Sequence, residues 1–194
     1  WKLLRTQNHI AAGRPRSDRG GGATMDLKAF VRDVPDFPTP GVLFRDITPL
    51  LRDAKAFGYV IDRLYERFRD VPLDAIVAVE SRGFLFGAPL AYRMGKALVP
   101  VRKQGKLPGA THITDYSLEY GASAMEIQVD GIDRGDRVLL MDDVLATGGT
   151  LAATARLVET AGGVVGGVGL VIELTELNGR RRLEGYDVFA LVKY

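Results

Sequence analysis

The chain has 194 residues, 46% hydrophobic and 26% charged, with a formal net charge of +2. These are the proportions of a folded domain with a sizeable core and not of a disordered or fibrous chain. Cysteine is absent, which excludes disulfides and thiolate chemistry and suits a cytoplasmic setting; no apolar run approaches the roughly 20 residues of a membrane span, so no membrane partner is expected.

The charge is unevenly spread. Residues 1–24 carry Lys2, Arg5, Arg14, Arg16 and Arg19 against Asp18, a net +4 that leaves −2 for residues 25–194. The positive balance belongs to the leader, and the body offers no electrostatic case for nucleic acid. Residues 1–24 lack strand or helix periodicity and read as a basic, poorly ordered extension, with Met25 where a domain would begin. An acid-poor, Arg-containing leader is also the composition of a transit peptide. Residues 25–194 read as one domain.

Within that domain the spacing predicts a short helix at about 26–33, a Pro-rich excursion through Leu50, and a helix at about 53–69. The apolar positions Phe57, Val60, Ile61, Leu64 and Phe68 form that helix's inner stripe. Ala75–Val79 is a short buried strand, Gly83–Met94 a helix and Ala97–Val101 the next strand. Lys103 to about Tyr116 reads as a long loop, followed by a hairpin through Tyr120-Gly121 with strands near Leu118 and Ala124–Val129. A strand at Val138–Met141, a helix at about 149–161, a strand at about 164–173 and a last strand near Val188–Val192 complete the order. Strands alternating with helices predict an α/β domain with a mostly parallel sheet covered on both faces. Ligands in such sheets sit at the carboxyl ends of the strands. The glycines from Gly162 to Gly169 read as a helix C-cap and a close backbone approach.

The most informative segment is residues 138–150. A buried strand ends in Asp142-Asp143, then Ala146-Thr147-Gly148-Gly149-Thr150 opens a helix. Backbone N–H groups and hydroxyls at a helix N-terminus cradle a phosphate. Two adjacent carboxylates would repel that phosphate, but they suit the hydroxyls of a ribose. No Gly-Lys-Ser/Thr follows, so this is not a Walker A loop, and the chain has no Gly-x-Gly-x-x-Gly.

Ser81-Arg82-Gly83 is a second strand–turn–helix junction, weak by itself, where Arg82 could grip a diphosphate. The loop Arg102-Lys103-Gln104-Gly105-Lys106 carries three cations among glycines, a composition for a solvated loop or for a mobile lid over departing negative charge. At the end of such a lid, Glu119 becomes an acid/base candidate; His112 reads as incidental. In the Pro-rich excursion, Leu43 and Phe44 could offer a flat apolar wall to a base, or simply a structural hood.

Taken together, Phe37–Leu50, Glu80–Gly87, Arg102–Gly109, Ser117–Gly121 and Asp142–Thr150 resemble the type I phosphoribosyltransferases. The first and fourth segments resemble the adenine-specific branch of that family, and the likeness runs from about residue 26 to the C-terminus. The resemblance implies the type I fold, a mostly parallel twisted sheet flanked by helices, with an N-terminal hood and a mobile lid loop. It implies transfer of 5-phosphoribosyl from phosphoribosyl diphosphate (PRPP) to adenine, giving AMP and diphosphate in purine salvage. It further implies Mg2+ held mainly by the substrate, with no direct protein ligand, and a homodimer.

By the same resemblance Asp142 and Asp143 hold the ribose, and Ala146, Thr147, Gly148, Gly149 and Thr150 hold the 5-phosphate. Ser81, Arg82, Arg102, Lys103 and Lys106 serve the diphosphate. Phe44 and Leu174 sandwich adenine, backbone groups of Leu43 and Arg45 read its edge, and Glu119 handles a proton near N7. A non-proline cis peptide is implied at Glu80–Ser81. Two rivals are a 6-oxopurine transferase, which an adenine-reading site should reject, and a PRPP-sensing regulator, which would need a DNA-binding module that the short leader cannot supply.

Overall fold

Alternation of apolar side chains along the central strands decides the layering. In the computed structural model, which describes residues 24–118 and 121–194, β3 (Ala75–Val79) is buried along its whole length. Its Ala75, Val77 and Val79 enter one apolar cluster while Ile76 enters the other, on the opposite face. β7 (Arg137–Leu145) does the same with Val138 and Leu140 on one face and Leu139 and Met141 on the other. A strand buried on both faces must lie between two helical layers.

Those layers come from three helices. α2 (Ala54–Phe68) starts at Asp53, whose carboxylate accepts hydrogen bonds from the N–H groups of Lys55 and Ala56, both at 2.9 Å. This is the side-chain cap that a helix N-terminus needs. Its inner stripe buries Val60, Ile61, Leu64 and Phe68 against β3 and β7, together with Phe86 and Leu90 of α3 (Gly83–Met94). Each of these side chains contributes about 1.5–3 kcal/mol when fully buried. α3 stops where Gly95 takes a left-handed conformation, φ 63°. On the other face α4 (Gly149–Thr160) packs Leu151, Leu157 and Val158 into the second cluster.

The sheet has seven strands in the order β5-β6-β4-β3-β7-β8-β9, where β4 is Ala97–Lys103, β5 Thr111–Leu118, β6 Gly121–Gln128, β8 Val164–Glu173 and β9 Val188–Lys193. The pairs β4–β3, β3–β7, β7–β8 and β8–β9 are parallel; β6 runs antiparallel to both β4 and β5. Along β8, glycines at 167 and 169 leave room for the Phe68 ring, which a Cβ there would approach to 3.2 and 3.1 Å.

Two expectations change. The helix anticipated at 26–33 is only one 3-10 turn, Leu27–Phe30, capped by Asp26. The chain then becomes β1 (Arg32–Pro35), which pairs antiparallel with β2 (Leu43–Asp46) before the short α1 (Thr48–Arg52). A long-range ion pair from Arg32 Nε to Asp46 Oδ2 at 3.0 Å stabilises that pairing against local helix propensity. This two-stranded ribbon is the hood. The long loop anticipated from Lys103 to Tyr116 is shorter, residues 104–110, because Thr111–Leu118 forms β5 against β6. The β-branched residues Thr111, Ile113 and Thr114 favour that extended form.

Candidate active site

The carboxyl ends of β3, β4 and β7 meet around a cleft of about 400 Å3, lined by Ser81, Arg82, Lys103, the Asp142-Asp143 pair and the whole 146–150 loop. A larger groove of about 630 Å3 lies between the N-terminal turn and β9, beside Tyr59, Arg63 and Phe189. It holds neither an acid pair nor an anion cradle, so size does not mark the reactive site.

Asp142 and Asp143 are nearly buried, 9% and 3% exposed. The strand anticipated to end at Met141 runs on to Leu145, so both acids lie within β7, and Oδ1 of Asp142 accepts from the N–H of Asp143 at 2.8 Å. Arg82, at the start of α3, supplies a counter-charge, with its Nε 2.9 Å from Oδ2 of Asp143. Burial, then the neighbouring Asp143 charge, pushes the Asp142 carboxyl well above the ordinary carboxylate range. Burial also raises Asp143, while Arg82 pulls the other way. Two buried acids with one guanidinium between them leave the floor of the cleft short of positive charge and well supplied with acceptors.

Next to this floor is the cradle. Gly148, with φ 81°, is the N-cap of α4 and brings no side chain to the helix end. No described side chain caps that terminus, so the first-turn N–H groups face the cleft without side-chain partners. The left-handed turn at Gly148 and its packing leave no room for a side chain, as a Cβ there would lie 2.5 Å from the carbonyl oxygen of Gly179.

The peptide bond Glu80–Ser81 is cis, as the resemblance implied. Oε1 of Glu80 accepts from Arg102 Nη2 and its Oε2 from the Lys103 N–H, each at 2.9 Å. Burial pushes this carboxyl up, but Arg102 and the Lys103 N–H outweigh it and hold it low. Of the five groups expected at the diphosphate, Ser81, Arg82 and Lys103 line the cleft. Arg102 instead bonds Glu80 and, at 3.0 Å, the Lys106 carbonyl, and Lys106 is not among the cleft's lining residues.

Above Arg82 sits the hood. The Arg82 guanidinium lies 5.2 Å from the centre of the Phe44 ring, and Phe37 packs edge-on against Phe44 at 5.1 Å. Phe44 therefore stands beside the cleft as a wall, joined to the acid pair through Arg82. Leu43 is 46% exposed. Arg45 directs its side chain away, pairing with Asp33 and stacking over Tyr194 at 3.9 Å, so only its backbone is available to a ligand. Leu174 follows β8, and its N–H bonds the Leu145 carbonyl at 2.9 Å. Glu119 lies outside the described residues.

Several groups that support the site were not singled out in the sequence. Glu126, 3% exposed on β6, accepts from the N–H groups of Lys106 and Leu107 at 2.7 Å and from the Thr111 hydroxyl at 3.3 Å. Burial pushes its carboxyl up, but the N–H groups of Leu107, Gly105 and Lys106 outweigh burial and hold it low. The base of the cationic loop is thereby tied to the sheet. An acid inside the apolar run Ala124–Ile127 is a signal that could have been read, since a buried charge requires donors. Beneath the 146–150 loop, Gly179 and the Glu173–Arg180 pair depend on contacts distant in sequence and carry no such signal.

Comparison with known proteins bears on this geometry. Residues 51–190 match the phosphoribosyl transferase domain family. The chain is 54% identical over 170 residues to the adenine phosphoribosyltransferase of Chloroflexus aurantiacus, covering 88% of this chain and 98% of that one. The crystal structure of adenine phosphoribosyltransferase from Thermoanaerobacter pseudethanolicus superposes with a TM-score of 0.85 at 52% identity, over 87% of this chain and 98% of that one. The Saccharomyces cerevisiae enzyme, solved with adenine and an imino-altritol bisphosphate, superposes at 0.81 and 43% identity, over 85% and 96% of the two chains. The chain belongs to the phosphoribosyltransferase family, in its adenine phosphoribosyltransferase branch.

Proposed function

We propose that this protein joins adenine to the ribosyl C1 of PRPP, releasing diphosphate and forming AMP, with the described cleft as the sugar-phosphate half of the site. The observation that carries this reading is the meeting of a buried acid pair, an uncapped helix start and Arg82 within one cleft, with an aromatic wall beside it. No simpler ligand than a phosphorylated polyol uses all of these groups. Family membership at more than 50% identity supports the choice of adenine as acceptor.

Asp142 and Asp143 accept hydrogen bonds from the ribose 2- and 3-hydroxyls, while Ala146–Thr150 receive the 5-phosphate on N–H groups and hydroxyls. Ser81, Arg82 and Lys103 hold the diphosphate; Arg102 and Lys106 add to it once the cationic loop closes, with Arg102 leaving Glu80. Fixing both ends of the sugar leaves C1 between them, so that much of the catalysis is positioning. Positive charge develops on the ribosyl ring as the leaving group departs, and the cations around the diphosphate stabilise the negative charge it carries away. Adenine rests between Phe44 and Leu174 with its edge against the backbone of Leu43 and Arg45. Glu119 manages the purine proton near N7.

The cleft fits a divalent cation brought by its substrate. Among the described residues its two buried acids share a single ion pair, Arg82 with Asp143, and no group of three or more acids or histidines is placed to hold a metal. Mg2+ carried by the diphosphate and ribose hydroxyls would neutralise charge beside Asp142 and Asp143. A homodimer accords with the outer face of α3 and the start of β4, where Tyr92, Leu85 and Leu98 are 91%, 44% and 43% exposed. A cysteine-free chain agrees with a cytoplasmic setting.

Calorimetry tests the ribose assignment. PRPP with Mg2+ should bind the parent protein, and the Asp142→Asn/Asp143→Asn variant should lose at least about 100-fold in affinity, as buried hydrogen bonds to charged groups are worth about 1.5–3 kcal/mol each. Retained affinity in the double variant would mean that the acids do not hold the sugar.

A further inference from the structure

The 146–150 loop does not stand by itself. Gly179, 29 residues past the end of the loop, lies directly beneath it, so close that a Cβ at Gly179 would sit 2.2 Å from the Ala146 carbonyl oxygen and 3.1 Å from the Gly148 nitrogen. The approach is mutual, since a Cβ at Gly148 would meet the Gly179 carbonyl at 2.5 Å. Backbone thus rests on backbone, with the Leu145 side chain at the edge of the contact, 2.9 Å from a Cβ at 179.

Gly179 is held from two sides. Asn178, left-handed at φ 53°, turns the chain into the 3-10 segment Gly179–Leu183. The next residue, Arg180, grips both oxygens of Glu173, Nε to Oε1 at 2.5 Å and Nη2 to Oε2 at 2.7 Å, and its Nη1 donates to the Val188 carbonyl at 2.9 Å. Glu173 is the last residue of β8 and 4% exposed. The Arg180 fork holds its carboxyl below the ordinary range in spite of burial. From the residue after it, the Leu174 N–H reaches the Leu145 carbonyl at the base of the loop. Leu183 closes the segment in the core at 1% exposure.

We infer that Gly179, fixed by the Glu173–Arg180 clamp, is a positioning residue that sets the shape of the 146–150 loop and with it the affinity for the phosphate end of the sugar substrate. This rests on the 5-phosphate assignment proposed above. A cradle of N–H groups works only if its donors stay within about 0.5 Å of their bonding positions. A methyl group at 179 must push the Ala146 carbonyl by on the order of 1 Å to restore ordinary contact, and a displacement of that size at a binding loop costs up to about 100-fold. Bulk at 179 therefore acts first on the phosphate end, since the atoms it meets belong to Ala146, Gly148 and Leu145, and reaches the base end only through Leu174, whose N–H bonds the Leu145 carbonyl.

Two variants test this with ribose 5-phosphate as probe. Gly179→Ala adds the methyl; Arg180→Lys keeps the charge opposite Glu173 and gives up the fork. Calorimetry should show ribose 5-phosphate affinity falling at least tenfold in the first and about threefold in the second. In steady-state kinetics the PRPP KM should rise by more than kcat falls and by several-fold more than the adenine KM. Unchanged ribose 5-phosphate affinity in both variants overturns the proposal, as does a parallel rise in both KM values together with a lowered Tm, which marks a general structural lesion. A parent protein that does not bind ribose 5-phosphate refutes the phosphate-loop assignment itself.

Discussion

Replacing Asp142 with Asn should stabilise the ligand-free protein while weakening the proposed hold on ribose. The two carboxylates are 9% and 3% exposed, and among the described residues only Arg82 pairs with them, through Asp143. Asn keeps the one bond that Asp142 makes to backbone, because its Oδ1 can still accept from the Asp143 N–H. What disappears is a buried charge beside a like charge. Relieving such functional strain typically yields about 0.5–2 kcal/mol, and each kcal/mol corresponds to roughly 2–4 °C in Tm at this domain size. The pH dependence follows from the direction of the shift. Burial and Asp143 raise the Asp142 carboxyl in the folded protein, so the unfolded chain gives up its proton at lower pH than the folded one. The parent therefore loses stability as pH rises from the ordinary carboxylate range through the raised folded value. The gain from Asn should be small at acid pH, where the group is protonated in both states, and should grow to a plateau above the folded pKa. Thermal melts without substrate, run across this range, measure it. An unchanged or lower Tm at neutral pH would refute the reasoning, and so would a gain as large in acid as at neutral pH.

Glu119→Gln should reduce kcat by about 100-fold or more, the usual weight of a positioned acid or base, while PRPP affinity stays within about threefold; near-normal turnover removes Glu119 from the chemistry. Glu126→Gln should cost about 1–3 kcal/mol in denaturant unfolding, because an amide NH2 replaces an acceptor in a buried set of donors. Glu126 is held below its ordinary range, so the parent should lose this contribution as pH falls below that range and through the folded value, and the variant should lack that part of the acid slope. Tyr92→Glu, on the exposed face of α3, should convert a dimer to a monomer in sedimentation; a parent that is already monomeric at assay concentration contradicts the homodimer.

What could be read in advance was whatever local physics decides. Gly83–Met94 and the Val164–Glu173 strand have the predicted bounds, because a glycine turn, an apolar period and a left-handed Gly95 punctuate them within a few residues. The acid pair and the Gly-Gly turn were legible for the same reason: strand, turn and helix start are contiguous in the chain. The helix expected at 26–33 gives way because β1 exists only by pairing with β2, and the loop before β5 is shorter than expected because β5 depends on β6. Arg102 was placed among diphosphate ligands, and only the fold reveals its bond to Glu80. Nothing in the sequence around Gly179 marks it, and only the fold sets it beneath the 146–150 loop. Pairings and backbone contacts across tens of residues have no local signature, and these account for β1 and for the shorter loop.

The central claim is that one cleft holds PRPP while the neighbouring wall selects adenine. Incubation of the protein with PRPP, Mg2+ and each purine in turn, with nucleotide product resolved by chromatography, tests it most directly. AMP should form from adenine, and nucleotide formation should be at least about 100-fold slower from hypoxanthine or guanine, whose edges would leave buried polar groups unpaired. Comparable rates with a 6-oxopurine, or no AMP from adenine, would contradict it.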